Sequence, residues 1–520
     1  MQVEEFLERS TRRFPDKTAV VCGDRRLTYR EVEEQSNRLA HALLGAGVQR
    51  GDRIAVYLEN SVEAVLGVFA ILKAGAVFLV VNPSTKGDKL AYILNNCRAV
   101  ALITDYSKLE GIGAHQARTP HLKTVVATGK DAGGRRAGGL RVIAFEQVLQ
   151  HRKGPSEPPP KRCIDIDLAA LIYTSGSTGG PKGVMLTHLN IVSAATSITT
   201  YLENVPEDII LNVLPLSFDY GLYQVLMAFK VGATVVLERS FAYPYAVVER
   251  LIREKVTGFP IVPTISAVLL QLNLKRHDFS RLRYITNTAA ALPPHHIQQL
   301  RQLFPQVKLY SMYGLTECKR VSYLPPDQLD VRPTSVGRGM PNEEVYIVDE
   351  AGRRVGPGVV GELVVRGSHV MKGYWELFEE TAQVLKPGPL PGEQVLYTGD
   401  VFKMDDEGYL YFVGRKDDII KSRGEKVSPK EIEDVLYSLD GVAEAAVVGV
   451  PDPVLGQAIK AVITVRDGAR LTEQDLLRHC AQHLEDFMMP KFVEFRDSLP
   501  KTSSGKISKR ELRVPVGGGT

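Results

Sequence analysis

Residues 28–104 alternate between helical and strand patterns, and this alternation constrains the fold more than any other feature of the sequence. The capping box TYRE at residues 28–31 predicts the start of a helix, and Gly45 and Gly47 mark its end. The pattern then predicts a strand (53–58), a helix from Ser61, a strand (76–81), a helix near Leu90 and a strand (100–104). Such alternation is typical of parallel sheets whose faces are covered by helices.

The pattern changes twice further along the 520-residue chain. From about residue 336 to 414, short strands alternate with Gly/Pro turns, which predicts a small β-rich subdomain. A second capping box, Ser428 to Glu431 with proline after the cap, opens a helix that precedes strands at 445–450 and 458–465 and a helix at about 473–484. The predicted fold class is α/β: an N-terminal region of parallel α/β sheets (1–415) that includes the β-rich subdomain, then a small α+β C-terminal domain (417–520).

Composition and charge exclude several classes of protein. A formal net charge of +4 spread over the chain gives no reason to expect nucleic acid as a partner. The most apolar segment, residues 64–81, contains Lys73 and two glycines, so we expect no membrane span. The five scattered cysteines and an N-terminus without a secretory h-region predict a cytoplasmic protein with reduced thiols.

Residues 173–183 read YTSGSTGGPKG and follow an apolar run that ends at Ile172. Glycines that let backbone N–H groups approach an anion, hydroxyl donors and one lysine are typical of a phosphate-binding loop, although a flexible turn is the simpler alternative. Pro181 and Gly183 flank Lys182, so the second glycine and the Mg²⁺-binding hydroxyl of a Walker A motif are both missing. A P-loop kinase is therefore excluded.

Four further motifs follow this loop in the chain: YSMYGLTE at 310–317, YTGD at 397–400, GRKDD at 414–418 and PKTSSGK at 500–506. Together with the loop, these five motifs resemble the AMP-forming adenylating superfamily, which includes acyl- and aryl-CoA synthetases, peptide-synthetase adenylation domains and firefly luciferase. The resemblance covers nearly the whole chain, in the family's motif order. It implies that ATP is a substrate and that Mg²⁺ is required.

The resemblance also assigns roles to individual residues. Glu317 is implied as the Mg²⁺ ligand and a catalytic residue together with Thr316, and a carboxylate suits a hard cation that bridges phosphates. By itself, Glu317 would be read as a solvated surface carboxylate. Asp400 is implied to accept from the ribose hydroxyls, beside Arg415. The residues implied to bind ATP or AMP are Thr174, Ser175, Gly176, Ser177, Thr178, Lys182, Tyr313, Asp400 and Arg415.

A mobile C-terminal domain is implied by the same resemblance. Lys506 would enter the site as the catalytic cation where the acid's carboxylate meets the α-phosphate. Asp417 would be the hinge, near residues 416–418, about which the domain swings to present a thiol channel formed by Lys421, Arg423 and Gly424. CoA is the expected thiol, and the alternative is the phosphopantetheine thiol of a separate carrier protein.

The segment VLPLSFDYGLYQ at 213–224 predicts the pocket for the acid, lined by Phe218, Asp219, Tyr220 and Tyr223. Two tyrosines and a phenylalanine favour a compact, flat or cyclic carboxylic acid. Asp219 resembles the aspartate that pairs with the substrate's α-ammonium in amino-acid adenylation domains, which would favour an amino-bearing acid. Alternatively, Asp219 caps the helix that begins at Tyr220.

The expected function is that of an AMP-forming acid–thiol ligase, in which acyl-AMP forms first and a thioester second. A freestanding amino-acid adenylation enzyme that loads a carrier protein is the alternative. A non-catalytic nucleotide-binding protein of the same fold would be expected to lack Glu317 or Lys506, and both are present. No feature of the sequence supports a luciferase-type oxygenase.

Overall fold

A computed structural model describes residues 1–129, 138–150, 155–175, 181–422, 425–452, 455–466, 468–501 and 507–513. Its α-helices are α1 (Glu5–Arg13), α2 (Tyr29–Gly45), α3 (Val62–Lys73), α4 (Gly87–Asn96), α5 (Leu109–Ala114), α6 (Phe145–Gln150), α7 (His188–Tyr201), α8 (Asp219–Val231), α9 (Pro244–Arg253), α10 (Pro263–Gln271), α11 (Pro294–Leu303), α12 (Phe378–Val384), α13 (Pro429–Ser438), α14 (Glu473–His483) and α15 (Lys509–Leu512).

The strands of the first half of the chain are β1 (Thr18–Cys22), β2 (Arg25–Thr28), β3 (Arg53–Tyr57), β4 (Val77–Val80), β5 (Ala101–Asp105), β6 (Thr124–Thr128), β7 (Arg141–Ala144), β8 (Leu168–Ser175), β9 (Pro181–Thr187), β10 (Ile209–Asn212), β11 (Thr234–Leu237) and β12 (Gly258–Ile261). Those of the second half are β13 (Tyr284–Asn287), β14 (Lys308–Tyr313), β15 (Ser322–Leu324), β16 (Arg338–Gly339), β17 (Glu343–Val348), β18 (Gly361–Gly367), β19 (Gly373–Tyr374), β20 (Leu385–Pro387), β21 (Gln394–Met404), β22 (Leu410–Arg415), β23 (Ile420–Ser422), β24 (Glu425–Val427), β25 (Val442–Asp452), β26 (Gly456–Val465) and β27 (Phe492–Phe495).

Two large sheets dominate the N-terminal region, and both are mainly parallel. One has nine strands in the order β16-β15-β14-β13-β12-β10-β11-β1-β2, and the other has eight in the order β19-β9-β8-β4-β3-β5-β6-β7. Helices α3 and α8 meet between them, where the rings of Phe69 and Phe229 stack 5.0 Å apart. The predicted α/β class is therefore confirmed.

Local signals fixed the helix starts. Thr28 accepts from the backbone N–H of Glu31 while the Glu31 carboxylate accepts from the backbone N–H of Thr28, which completes the predicted capping box of α2. Ser61 and Ser428 likewise cap α3 and α13. The two helices therefore begin where the hydroxyl residues predicted.

The β-rich region forms an antiparallel sheet in the order β17-β18-β21-β20, with β22 paired to β21. The two-residue strand β19 lies in the same stretch of chain but pairs with β9 of the eight-stranded sheet. This detail was not predicted, because a two-residue strand carries no periodicity. Through β19, the β-rich stretch contacts the end of the phosphate loop.

The C-terminal residues form a further five-stranded sheet, β24-β23-β26-β25 with β27 beside β26, covered by α13 and α14. Its own buried cluster starts at Ile420 and includes Ile432, Val447 and Ile463. The predicted hinge residues 416–418 lie between β22 and β23. No helix in the described part of the chain is both long and apolar enough to cross a membrane.

Candidate active site

The predicted phosphate loop connects two paired strands at the edge of the eight-stranded sheet. β8 and β9 are antiparallel, with Thr174 opposite Lys182. Gly176, Ser177 and Thr178 lie outside the described residues, and Ser175 is described only as backbone at the end of β8. The hairpin therefore presents Thr174 and Lys182 on either side of the loop.

Glu317 and Lys182 are brought together by a residue that the motifs did not identify. The Tyr374 hydroxyl donates to Glu317 Oε1 at 2.7 Å, and Lys182 Nζ lies 5.4 Å from the centre of the Tyr374 ring. The backbone N–H of Met371 also donates to the Glu317 carbonyl at 2.7 Å. Burial, and then the neighbouring Glu317 charge, raise the pKa of Tyr374, so its hydroxyl remains a donor at neutral pH.

The position of Tyr374 in the fold explains how it contacts both Glu317 and Lys182. It lies in β19, opposite Val184 of β9, so it is attached to the strand that follows the phosphate loop. Glu317 follows β14 of the nine-stranded sheet, and partly exposed Thr316 precedes it. The Tyr374 hydroxyl thus joins the two large sheets.

A second contact joins the nine-stranded sheet to the β-rich sheet. The Tyr313 hydroxyl donates to Asp400 Oδ2 at 2.6 Å, and the Tyr313 ring packs edge-on against Phe402 at 4.9 Å. Asp400 on β21 lies opposite Arg415 on β22, whose Nε is 3.6 Å from Asp400 Oδ1. These are the residues predicted to bind the adenine and the ribose.

Glu317 is suited to a divalent cation that also binds phosphate. One of its oxygens accepts from Tyr374, which fixes the orientation of the carboxylate. Among the described residues there is no cluster of three or more His, Cys, Asp or Glu that could hold a metal. A single protein carboxylate matches Mg²⁺, which usually keeps several waters and binds through one or two carboxylates and substrate phosphates.

The position of Asp219 differs from the helix-cap interpretation. It is the first residue of α8 rather than its cap: Phe218 occupies the cap position, with no side-chain cap hydrogen bond. The Asp219 carboxylate is 7% exposed, and its Oδ2 is 3.6 Å from Lys319 Nζ. The helix-cap interpretation is therefore wrong, and the cation beside Asp219 is supplied by the protein itself.

Lys319 and Arg320 were missed by the sequence reasoning. Both are buried, at 4% and 1% exposure, directly after the Glu317 motif. Burial lowers the pKa of Lys319 to about 7, although Asp219 opposes the shift. The signal that could have revealed them is a Lys-Arg pair enclosed between Cys318 and Val321, both fully buried.

The remaining predicted pocket residues surround this pair. Lys319 Nζ lies 4.6 Å from the ring centre of Tyr223 and 5.4 Å from that of Tyr220. The Tyr220 hydroxyl bonds with the carbonyl and hydroxyl of Thr286 on β13, and its ring lies edge-on to Phe218 at 6.2 Å. The structure thus brings the predicted acid-pocket residues together, with two basic side chains among them.

The hinge and thiol-channel residues are only partly described. Asp417 is exposed, and its carbonyl accepts from Arg513 Nη2 at 3.2 Å. The backbone of Lys421 lies in β23, and its side chain is outside the described residues. Arg423, Gly424 and Lys506 also lie outside them, so their predicted roles stay predictions.

Two family models and several known proteins match most of this chain. Residues 7–375 match the family model of the AMP-binding enzyme, and residues 431–506 match that of the AMP-binding enzyme C-terminal domain. A long-chain-fatty-acid–CoA ligase of Bacillus subtilis is 32% identical over 98% of this chain and 94% of its own length. A feruloyl-CoA synthase of an Amycolatopsis species is 36% identical over 98% of both chains.

A solved structure is similar over the same extent. The crystal structure of the anthranilate CoA ligase AuaEII in complex with anthranoyl-AMP superposes with a TM-score of 0.89 and 30% identity. The match covers 99% of this chain and 96% of that chain. The similarity therefore includes both the N-terminal region and the C-terminal domain.

Proposed function

Because the chain belongs to the AMP-binding enzyme family and its relatives include acyl- and aryl-CoA ligases, we propose that it joins a carboxylic acid to CoA at the expense of ATP. In the first step, the carboxylate oxygen attacks the α-phosphorus and displaces pyrophosphate. In the second, the thiol sulfur attacks the acyl carbon, AMP leaves, and the thiol proton passes to solvent. Neither step needs a covalent protein nucleophile, so positioning and charge neutralisation carry the catalysis.

The observation that carries this proposal is the contact between Glu317 and Tyr374, with Lys182 beside the same tyrosine ring. It sets the predicted metal ligand next to the end of the predicted phosphate loop. Mg²⁺ held by Glu317 would neutralise phosphate charge. Lys182 would bind the departing pyrophosphate, while Asp400 would hold the ribose and Tyr313 would pack against the adenine.

The acid we propose is a compact aryl acid. Phe218, Tyr220 and Tyr223 give the pocket aromatic walls, and two of the relatives are named for aromatic acids. A substrate ammonium is not needed to balance Asp219, because Lys319 lies 3.6 Å away. We therefore do not retain the amino group as a requirement.

CoA is the thiol we propose, since two relatives that match 98% of this chain are named as a CoA ligase and a CoA synthase. A separate carrier protein remains the alternative. The C-terminal domain would deliver Lys506 for the first step, and after a swing about Asp417 it would present Gly424 to the thiol arm. The five free cysteines support a cytoplasmic location.

The test is acid-dependent ATP–pyrophosphate exchange over benzoates, hydroxycinnamates, aminobenzoates, cyclic amino acids and fatty acids. AMP release is then measured with the best acid, with CoA and, separately, with a phosphopantetheinylated carrier protein. We expect exchange with aryl acids and AMP release with CoA. Exchange with no acid would contradict adenylation, and AMP release with the carrier alone would contradict the choice of CoA.

A further inference from the structure

Arg320 is a buried cation that forms no ion pair among the described residues. It is the largest of the fully buried side chains, at 1% exposure, and its Nε and Nη1 have no hydrogen-bond partner among the described residues. Its guanidinium carbon lies 5.3 Å from the centre of the Tyr220 ring.

Burial of this guanidinium costs free energy, which is unfavourable if the side chain has only a structural role. A guanidinium stays protonated at any physiological pH, so it cannot escape burial by losing its charge. Buried N–H groups without acceptors are rare in folded proteins, and each one usually has a bound water, ion or ligand as its partner. A ring contact does not replace these hydrogen bonds, because it leaves the N–H groups unpaired.

The acidic side chains near Arg320 in the described part of the chain contact other partners. Asp219 is paired with Lys319, and Glu317 accepts from Tyr374. Glu343, near the same loop, is buried, and burial raises its pKa well above the usual range, which favours the neutral carboxyl. His369 beside Glu343 is neutral too, because burial lowers its pKa to about 4. Arg320 therefore forms no ion pair with an acidic side chain of the described residues.

The position of Arg320 points to the substrate. A Cβ at Gly314 would lie 2.9 Å from the Arg320 Cα, so the arginine backbone passes directly beside the segment that carries Tyr313 and Glu317. Its side chain extends to Tyr220, one of the aromatic residues of the predicted acid pocket. The guanidinium therefore lies between the nucleotide residues and α8.

We propose that the acid activated by this enzyme carries a second anionic oxygen group, in the simplest case a second carboxylate, which binds to the buried guanidinium of Arg320. The inference rests on the proposed function, because it concerns the acid pocket of the same reaction. The reacting carboxylate attacks the α-phosphorus of ATP, displaces pyrophosphate and becomes the acyl-AMP, while the second one stays ionised and accepts hydrogen bonds from Arg320. Lys319 holds Asp219 away from this anion by pairing with it.

The experiment compares acids that differ only by the second carboxylate: benzoate against isophthalate and terephthalate, and hexanoate against adipate. We measure kcat/KM for ATP–pyrophosphate exchange and take the ratio within each pair. A charge-assisted hydrogen bond to a buried group predicts a preference for one diacid of roughly 10- to 100-fold. Arg320→Met should bring the ratio close to one, and Arg320→Lys should retain part of it.

Arg338 provides a matched control. Its guanidinium carbon lies 5.6 Å from the ring centre of Tyr409, a distance similar to that between Arg320 and Tyr220, but Arg338 is exposed. Arg338→Met should leave the diacid preference unchanged. If Arg338→Met also abolished the diacid preference, the loss would be a general effect of removing an arginine, and the inference would be wrong.

The remaining outcomes also support or overturn the inference about Arg320. Exchange with monoacids as efficient as with diacids in the wild-type protein overturns the inference and leaves the proposed ligase activity standing. If no acid supports exchange, isothermal titration of isophthalate and adipate into the protein with a non-hydrolysable ATP analogue decides instead. Binding about 10-fold weaker in Arg320→Met, or in Arg320→Lys if the methionine variant does not fold, supports the inference; equal or absent binding overturns it.

Discussion

Tyr374→Phe removes one oxygen atom and tests whether this tyrosine orients Glu317, the predicted metal ligand. In the structure its hydroxyl donates to Glu317 Oε1 at 2.7 Å, a hydrogen bond to a charged acceptor. Such bonds contribute about 1.5–3 kcal/mol, and each 1.4 kcal/mol changes an equilibrium constant about tenfold. The loss of a group that holds a metal ligand typically lowers metal affinity by about 10- to 100-fold. The two estimates agree.

The assay is ATP–pyrophosphate exchange at saturating acid and fixed ATP, titrated with Mg²⁺. We expect the Mg²⁺ concentration for half-maximal rate to rise by roughly 10- to 100-fold in Tyr374→Phe, with much of the maximal rate recovered at high Mg²⁺. The phenyl ring remains, so the contact with Lys182 is retained.

Tyr411→Phe is the matched control, because the Tyr411 hydroxyl also donates to a carboxylate, Asp405 Oδ2, at 3.1 Å, and neither residue is predicted to bind ATP or Mg²⁺. Its Mg²⁺ dependence should equal that of the wild-type protein. If Tyr374→Phe lowered the rate with no change in Mg²⁺ dependence, Tyr374 would not act through Glu317.

Three further predictions concern stability and the two half-reactions. Lys319→Met should destabilise the fold by about 3–5 kcal/mol in urea unfolding, because it leaves the Asp219 carboxylate buried alone, and adding Asp219→Asn should recover part of the loss. Burial lowers the pKa of His188 to about 4, so only the unfolded state gains a proton as pH falls from 6.5 to 4, and stability should drop by about 3 kcal/mol over that window. Lys506→Ala should abolish pyrophosphate release but spare thioester formation from supplied acyl-AMP, and Gly424→Leu should do the reverse.

A specific result would contradict each of these three predictions. Additive losses for the Lys319 and Asp219 substitutions would mean that the two side chains do not interact. His188→Asn keeps an acceptor for the backbone N–H of Val3 and should flatten the acid limb, whereas the exposed His121→Asn should not. Equal slowing of both half-reactions by Lys506→Ala would contradict the proposed division of labour.

The fold could be predicted largely because its signals are local. The capping box at Thr28 and Glu31 places two reciprocal hydrogen bonds within four residues, so the start of α2 is decided by the sequence itself. The strand between the helices α2 and α3 was predicted as 53–58 from its local apolar pattern, and it lies at Arg53–Tyr57. Ends of elements, in contrast, differ by one to a few residues, as at β25, which extends to Asp452 beyond the predicted 450.

The contacts within the site were not predictable in the same way. Tyr374 is separated from Glu317 by 57 residues and meets it only because the two-residue strand β19 pairs with β9. Asp219 at the start of α8 and Lys319 between β14 and β15 are distant in the chain, and lysine and arginine are rarely buried, so no rule of composition would place Lys319 and Arg320 inside. Contacts between elements that are distant in the chain decided these positions, and local patterns in a single sequence do not reveal such contacts.

The cross-sheet contacts bear on how one site could serve two reactions. Tyr374 ties the eight-stranded sheet to Glu317 of the nine-stranded sheet, and Tyr313 ties the latter to Asp400 of the β-rich sheet. The predicted phosphate, metal and ribose groups are therefore held in fixed positions by short hydrogen bonds that do not involve the C-terminal domain. A swing of that domain could exchange Lys506 for a thiol without disturbing the bound adenylate, because every group that we expect to hold the nucleotide belongs to residues before 416.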